Sequence, residues 1–205
     1  MWVRVPPRVL PATVTLITAF EVPPDADEPF VDGWERARDL LASRDAVRAT
    51  ALHRALRRDI DLRFVEVASV DSPDAWRRAV ADPELPAGDM PFTAYAGLYR
   101  LVHEDGAPDG REGVILINPF EVRAEADAGF VAGWDEARAA IAAERGYLGT
   151  RLHRSLGPAR FRFVEIARWS SPLAFSKAVG QAAFRAPAAG PPFASQPALY
   201  QVIRD

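Results

Sequence analysis

The chain repeats itself once, and that limits its architecture more than any other feature. Phe20-Glu21-Val22 recurs as Phe120-Glu121-Val122, and Phe30-Val31-x-Gly33-Trp34 as Phe130-Val131-x-Gly133-Trp134. Leu52-His53-Arg54 recurs as Leu152-His153-Arg154, and all these matches are offset by 100 positions. Later matches slip by one residue, so that Phe64-Val65-Glu66 corresponds to Phe163-Val164-Glu165. Two copies with so long a period do not make a solenoid, which leaves a tandem duplication of one small domain. The expected domains are 1–102 and 113–205. The polar, turn-rich stretch 103–112, which contains His103, is the expected linker.

Each copy reads strand, helix, strand, strand, helix, strand. In the second copy Phe130, Trp134, Ala137 and Ile141 fall at spacings of four, three and four, which is one face of a helix. Gly146 suits a left-handed stop after it. Polar turns at Arg57-Arg58-Asp59 and Gly157-Pro158-Ala159 make a hairpin of strands two and three. Ser72-Pro73 and Ser171-Pro172 read as an N-cap followed by a first-turn proline. The order βαββαβ is the ferredoxin-like unit, so the fold class is α+β. Such a sheet carries helices on one face only. Yet Val114-Ile115-Leu116-Ile117 and Phe163-Val164-Glu165-Ile166-Ala167 are apolar on both. The uncovered face needs a partner, and the sister sheet supplies it. The expectation is two ferredoxin-like domains packed sheet to sheet into a barrel within one chain.

Composition removes several function classes. With no cysteine there are no disulfides, thiolate nucleophiles or cysteine metal sites. A net charge of −3 with interspersed signs gives no footprint for nucleic acid or for an anionic membrane surface. No apolar run reaches the ~18 residues of a membrane span, so a cytoplasmic location is expected. Phosphate-binding glycine loops, metal-ligand clusters and a Ser/His/Asp signature are absent from the sequence. Neither a metal nor a cofactor is expected.

Glu165 and its counterpart Glu66 stand out, because a carboxylate in an apolar strand is costly to bury. By alternation Glu165 shares a face with Phe161, Phe163, Ala167 and Trp169, expected to lie under the helices. Desolvation there raises a carboxyl pKa and makes the group a usable base. The alternative is an ion pair with Arg151 or Arg162. His153 and His53, on strand two, would relay protons if register set them beside the glutamates. Trp134 and Trp34 lie on the helix stripe and could wall the same cavity. Asn118 ends strand one and either ties down the Pro119 turn or points at a ligand. The loops Pro83 to Tyr95 and Phe184 to Gln196 are long enough to be lids.

Three stretches of the second half carry a resemblance. They are Ile117-Asn118-Pro119-Phe120-Glu121-Val122, Gly146-Tyr147-x-x-x-Arg151-Leu152-His153-Arg154 and Phe163-Val164-Glu165-x-x-x-Trp169-x-Ser171-x-x-x-Phe175. Together they resemble the antibiotic biosynthesis monooxygenase family of the dimeric α/β-barrel superfamily. The first half resembles it more weakly. The resemblance implies a hydrophobic pocket between sheet and helices and, commonly, cofactor-free oxygenation of polyphenolic polyketides. Quinone-forming members carry Asn-x-x-x-Trp on strand three. Here Trp169 matches, but Glu165 replaces the asparagine; in the first half both positions depart, to Glu66 and Val70. A heme-degrading branch uses a strand-one asparagine, a strand-three tryptophan and a histidine after the second helix. Asn118 and Trp169 match that pattern, but no histidine lies in 171–198, and heme is set aside.

The reading is a cofactor-independent monooxygenase-like enzyme for an aromatic polyketide or related polyphenolic molecule. The alternatives are a polyketide cyclase with Glu165 as general base, and a non-catalytic protein that binds a hydrophobic aromatic molecule. The expected catalytic group is Glu165, His153, Trp169 and Asn118, with Phe130, Trp134, Phe163 and Tyr147 contacting substrate. Glu66, His53 and Trp34 form a possible second site. Barrel closure within one chain permits a monomer, and a homodimer stays open.

Overall fold

The computed structural model describes residues 14–43, 47–81, 91–107, 112–185 and 193–205, without the side chains of 182–185. The first half comprises β1 (Val14–Glu21), α1 (Asp27–Ala42), β2 (Ala49–Ala55), β3 (Leu62–Val70), α2 (Pro73–Val80) and β4 (Thr93–Gly106). The second comprises β5 (Val114–Glu121), α3 (Asp127–Ala142), β6 (Tyr147–Ser155), β7 (Phe163–Trp169), α4 (Pro172–Arg185), the two-residue β8 (Ala194–Ser195) and β9 (Ala198–Arg204). Most of both expected loops lies outside the described residues. Tyr95, expected in the first loop, sits on β4 instead. β4 also continues through His103 to Gly106, into the stretch expected to be linker.

Every strand pairing is antiparallel. Each half orders its strands as a ferredoxin-like sheet, β4-β1-β3-β2 and β9-β5-β7-β6. The sheets meet edge to edge, β2 with β9 and β4 with β6, and so close an eight-stranded barrel with β8 as an appendage on β5. Closure explains why the strands are apolar on both faces. The inward residues of both halves form one core that includes Ile17, Val65, Tyr99, Ile115, Val164 and Tyr200. The outward residues form separate cores under the helices, two in each half.

Two crossing hydrogen bonds tie the halves. Tyr99 Oη donates to the carbonyl of Phe161 at 2.9 Å, and Tyr200 Oη to that of Leu62 at 2.7 Å. Phe161 therefore belongs to the barrel interior, not to the face of Glu165. It precedes the regular strand, where alternation does not yet apply. Each long helix is clamped to its sheet by the aspartate that begins it. Arg63 holds Asp27 through two bonds of 2.9 and 2.6 Å, and Arg162 holds Asp127 through two of the same lengths. Ser72 Oγ and Ser171 Oγ cap the shorter helices, each accepting from a backbone N–H at 3.1 Å. Among the described residues no helix is long and apolar enough to cross a membrane.

Candidate active site

Both glutamates point outward, under the helices, as strand alternation requires. Glu66 pairs across the ladder with Thr18 on β1 and with Leu52 on β2. Glu165 pairs with Asn118 on β5 and Leu152 on β6. In each half a threonine two residues before the Leu-His-Arg motif reaches the carboxylate. Thr50 Oγ1 lies 3.2 Å from Glu66 Oε1, and Thr150 Oγ1 lies 3.4 Å from Glu165 Oε1. Trp34 and Trp134 approach the same carboxyls from α1 and α3. The two sites are thus copies: Thr18, Trp34, Thr50 and Glu66 in one, Asn118, Trp134, Thr150 and Glu165 in the other. Thr50 and Thr150 escaped the sequence reading, although the repeat contains them.

Among the described residues neither glutamate is held by a cation. Arg151 pairs with Glu104, and Arg162 with Asp127. Among the described residues Glu165 has polar neighbours but no ion pair. Burial therefore dominates its ionisation and raises its pKa to about 7, against the lowering effect of Trp134, Thr150 and Asn118. Burial likewise raises Glu66. Glu165 nevertheless keeps partial solvent contact, whereas Glu66 is 9% exposed. Asn118 stays partly accessible too, and its Oδ1 has no hydrogen-bond partner.

The second site also draws on the first half of the chain. Pairing of β4 with β6 sets Asp105, from the first half, opposite Thr150. Asp105 Oδ1 accepts from Tyr147 Oη at 2.6 Å and from the Thr150 N–H at 3.2 Å. Arg138 also donates to Asp105, and His103 Nε2 stands 3.6 Å from its Oδ2. The His103 ring meets the Trp134 ring at 5.1 Å between centroids. Asp105 in turn pushes Glu165 further toward its protonated form. Gly149 permits this approach: its φ is +144°, and a Cβ there would lie 2.6 Å from the Asp105 carbonyl oxygen. The first half has Ala49 and Val47 where the second has Gly149 and Tyr147. Sequence reading missed Asp105 because it lay in the expected linker.

The histidines are not where the proposed relay needs them. His53 pairs with Val65 and His153 with Val164, one position from each glutamate. One residue along a strand reverses the face, so both imidazoles point into the barrel. Trp169 is on the face of Glu165 but in a different core, under α4. There its ring meets those of Tyr147 and Phe175, each at 5.5 Å, and its Nε1 has no partner. Tyr147 therefore stands between Trp169 and the Asp105 group. Phe130 and Phe163 stack at 4.3 Å, with Phe120 and Phe193 edge-on at 4.9 and 5.3 Å. The first half repeats this stack in Phe30, Phe64, Phe20 and Phe92. Phe120, Phe130 and Phe163 share one core with Trp134, and Phe20, Phe30 and Phe64 share one with Trp34. The described part of the face under α4 offers no histidine for an axial heme ligand.

Residues 113–189 match the family model described as antibiotic biosynthesis monooxygenase. Among solved structures the chain is similar to an anthrone oxidase-like protein, with a TM-score of 0.71 at 15% identity over 94% of this chain and 92% of that one. It is also similar to a candidate monooxygenase from Lactobacillus acidophilus NCFM, with a TM-score of 0.53 at 8% identity over 95% and 99%. At such identities both speak to the fold alone. A candidate monooxygenase from Shewanella loihica PV-4 is 34% identical over 45% of this chain and 95% of its own, with a TM-score of 0.42. Among curated proteins none matches the chain.

Proposed function

We propose that this chain, which belongs through residues 113–189 to the antibiotic biosynthesis monooxygenase family, oxygenates an aromatic polyketide or related polyphenolic molecule with Glu165 as its base. The observation that carries this reading is a carboxyl without a cationic partner among the described residues, desolvated to a pKa of about 7 beside Trp134, Thr150 and Asn118. A base is most effective when its pKa lies near the working pH.

The chemistry needs only substrate, dioxygen and this carboxyl. Glu165 removes a proton from an acidified benzylic methylene and leaves an electron-rich carbanion. The carbanion reduces dioxygen and joins it as a peroxide anion. Protonated Glu165 returns its proton to that peroxide, and loss of water gives a carbonyl. In balance, the methylene and dioxygen become the carbonyl and water: one oxygen atom stays on carbon, and the other leaves with both methylene hydrogens. Asn118 is suited to hold the substrate oxygen through its amide, and Trp134 to cover the ring. Tyr147, fixed by Asp105, closes the side toward Trp169. His153 has no part in this scheme.

Oxygen uptake with anthrone tests it. Removal of a general base costs about 10²–10⁴-fold in rate, so Glu165→Gln should lose uptake to that extent. In the wild type, activity should fall as pH falls through about 7, because only the ionised carboxyl accepts the proton. Turnover undiminished without oxygen would overturn the oxygenase and leave Glu165 as the base of a cyclase.

A further inference from the structure

Among the described residues the barrel interior is filled at one end and open at the other. Ala19, Ala55, Tyr99, Phe161, Ala198 and Tyr200 belong to the packed core. At the open end is a cavity of about 910 Å³, within the range of small-molecule sites. It lies across the sheet from Glu165, so its argument does not rest on the oxygenase reading.

His53 and His153 both line this cavity, and each is at least nine-tenths buried, at 5% and 4% exposure. They sit on β2 and β6. The path β6-β4-β1-β3-β2 and the path β6-β7-β5-β9-β2 both take four steps around the closed sheet. The two imidazoles therefore occupy opposite walls. His53 Nδ1 is 3.0 Å from the Val65 carbonyl oxygen. A ring nitrogen beside a carbonyl carries the proton, which leaves Nε2 as an acceptor. His153 has the equivalent place beside Val164, and its Nδ1 has no hydrogen bond of good geometry. Burial keeps both rings neutral, with His153 lowered to about 4 and further depressed by Arg151. Val67, Ile115 and Ile166 make the walls between them apolar.

The charged groups at this end are already engaged. Arg151 binds Glu104, Arg168 donates to the Glu112 carbonyl, and Arg204 binds Glu35. Beside the apolar wall and the two opposed imidazoles, the cavity offers a ligand the polar side chains of Thr15, Ser69 and Gln201. We infer that the barrel cavity is a second ligand site, which takes a hydroxylated apolar small molecule whose hydroxyl groups donate to His53 and His153.

The three histidines make this directly testable. In protein labelled with 15N-histidine, His103→Gln assigns the remaining two rings. Titration with 2,7-dihydroxynaphthalene should shift the His53 and His153 nitrogen resonances, and its dimethyl ether should shift neither. Ala51→Phe, which narrows the cavity without removing a histidine, should weaken the diol at least tenfold. Glu165→Gln should leave the His53 and His153 shifts unchanged. Shifts confined to His103, or none up to the solubility limit of the diol, would overturn the assignment. So would equal response to diol and ether.

Discussion

At the scale of single residues, one carboxyl is set apart from its twin by its surroundings. Glu66 and Glu165 occupy equivalent strand positions and meet equivalent threonines and tryptophans. Only Glu165 has an amide opposite it at Asn118 and Asp105 within electrostatic reach, and it is the more solvent-exposed of the two. These differences favour the second half as the reactive one. Thr150 supplies a sensitive handle, since its hydroxyl stabilises the ionised form of Glu165. Thr150→Val should raise that pKa further and move the rising limb of the pH–rate profile for oxygen uptake to higher pH. A limb that stays in place would show that the hydroxyl does not reach the carboxylate.

At the scale of elements, the site depends on where helices and strand ends are fixed. Arg63 is 4% exposed and also donates to the carbonyls of Ala55 and Arg57, so its pair with Asp27 is the more buried clamp. Removing one partner of a buried pair costs about 3–5 kcal/mol. Asp27→Ala should destabilise by about that amount, and Asp127→Ala by less, because Arg162 is 23% exposed. The midpoints of chemical denaturation measure both. Element scale is also where sequence reading stopped. Alternation put Glu165 under the helices, because Phe163, Ala167 and Trp169 fix which face is outward. The same alternation could not put His153 beside it. That depended on register, and Leu152 faces Glu165 instead. Asp105 was illegible for a related reason: its role arises from a strand pairing between halves that no local pattern announces.

At the scale of the molecule, duplication closes the barrel within one chain. The internal repeat and the two-faced strands made the barrel legible, since each sheet's apolar inner face demanded the other. The edges are equally dependent. The outer edges of β2 and β4 are paired by β9 and β6 of the other half, and Tyr99 and Tyr200 cross between halves for their acceptors. The second half alone, residues 112–205, would expose β6 and β9 as free edges, which template pairing with another chain. It should self-associate through those edges, as light scattering after size-exclusion chromatography would show. A stable monomer of the isolated half would mean that barrel closure contributes little.

The central claim is that burial holds Glu165 near neutrality, ready to take and return a proton. Infrared difference spectroscopy of the protonated carboxyl stretch, in wild type against Glu165→Gln, measures this without knowledge of the substrate. The account predicts a wild-type band that disappears as pH rises through about 7 and is missing from the variant. A band already lost near 4.5, the ordinary value for glutamate, would contradict it.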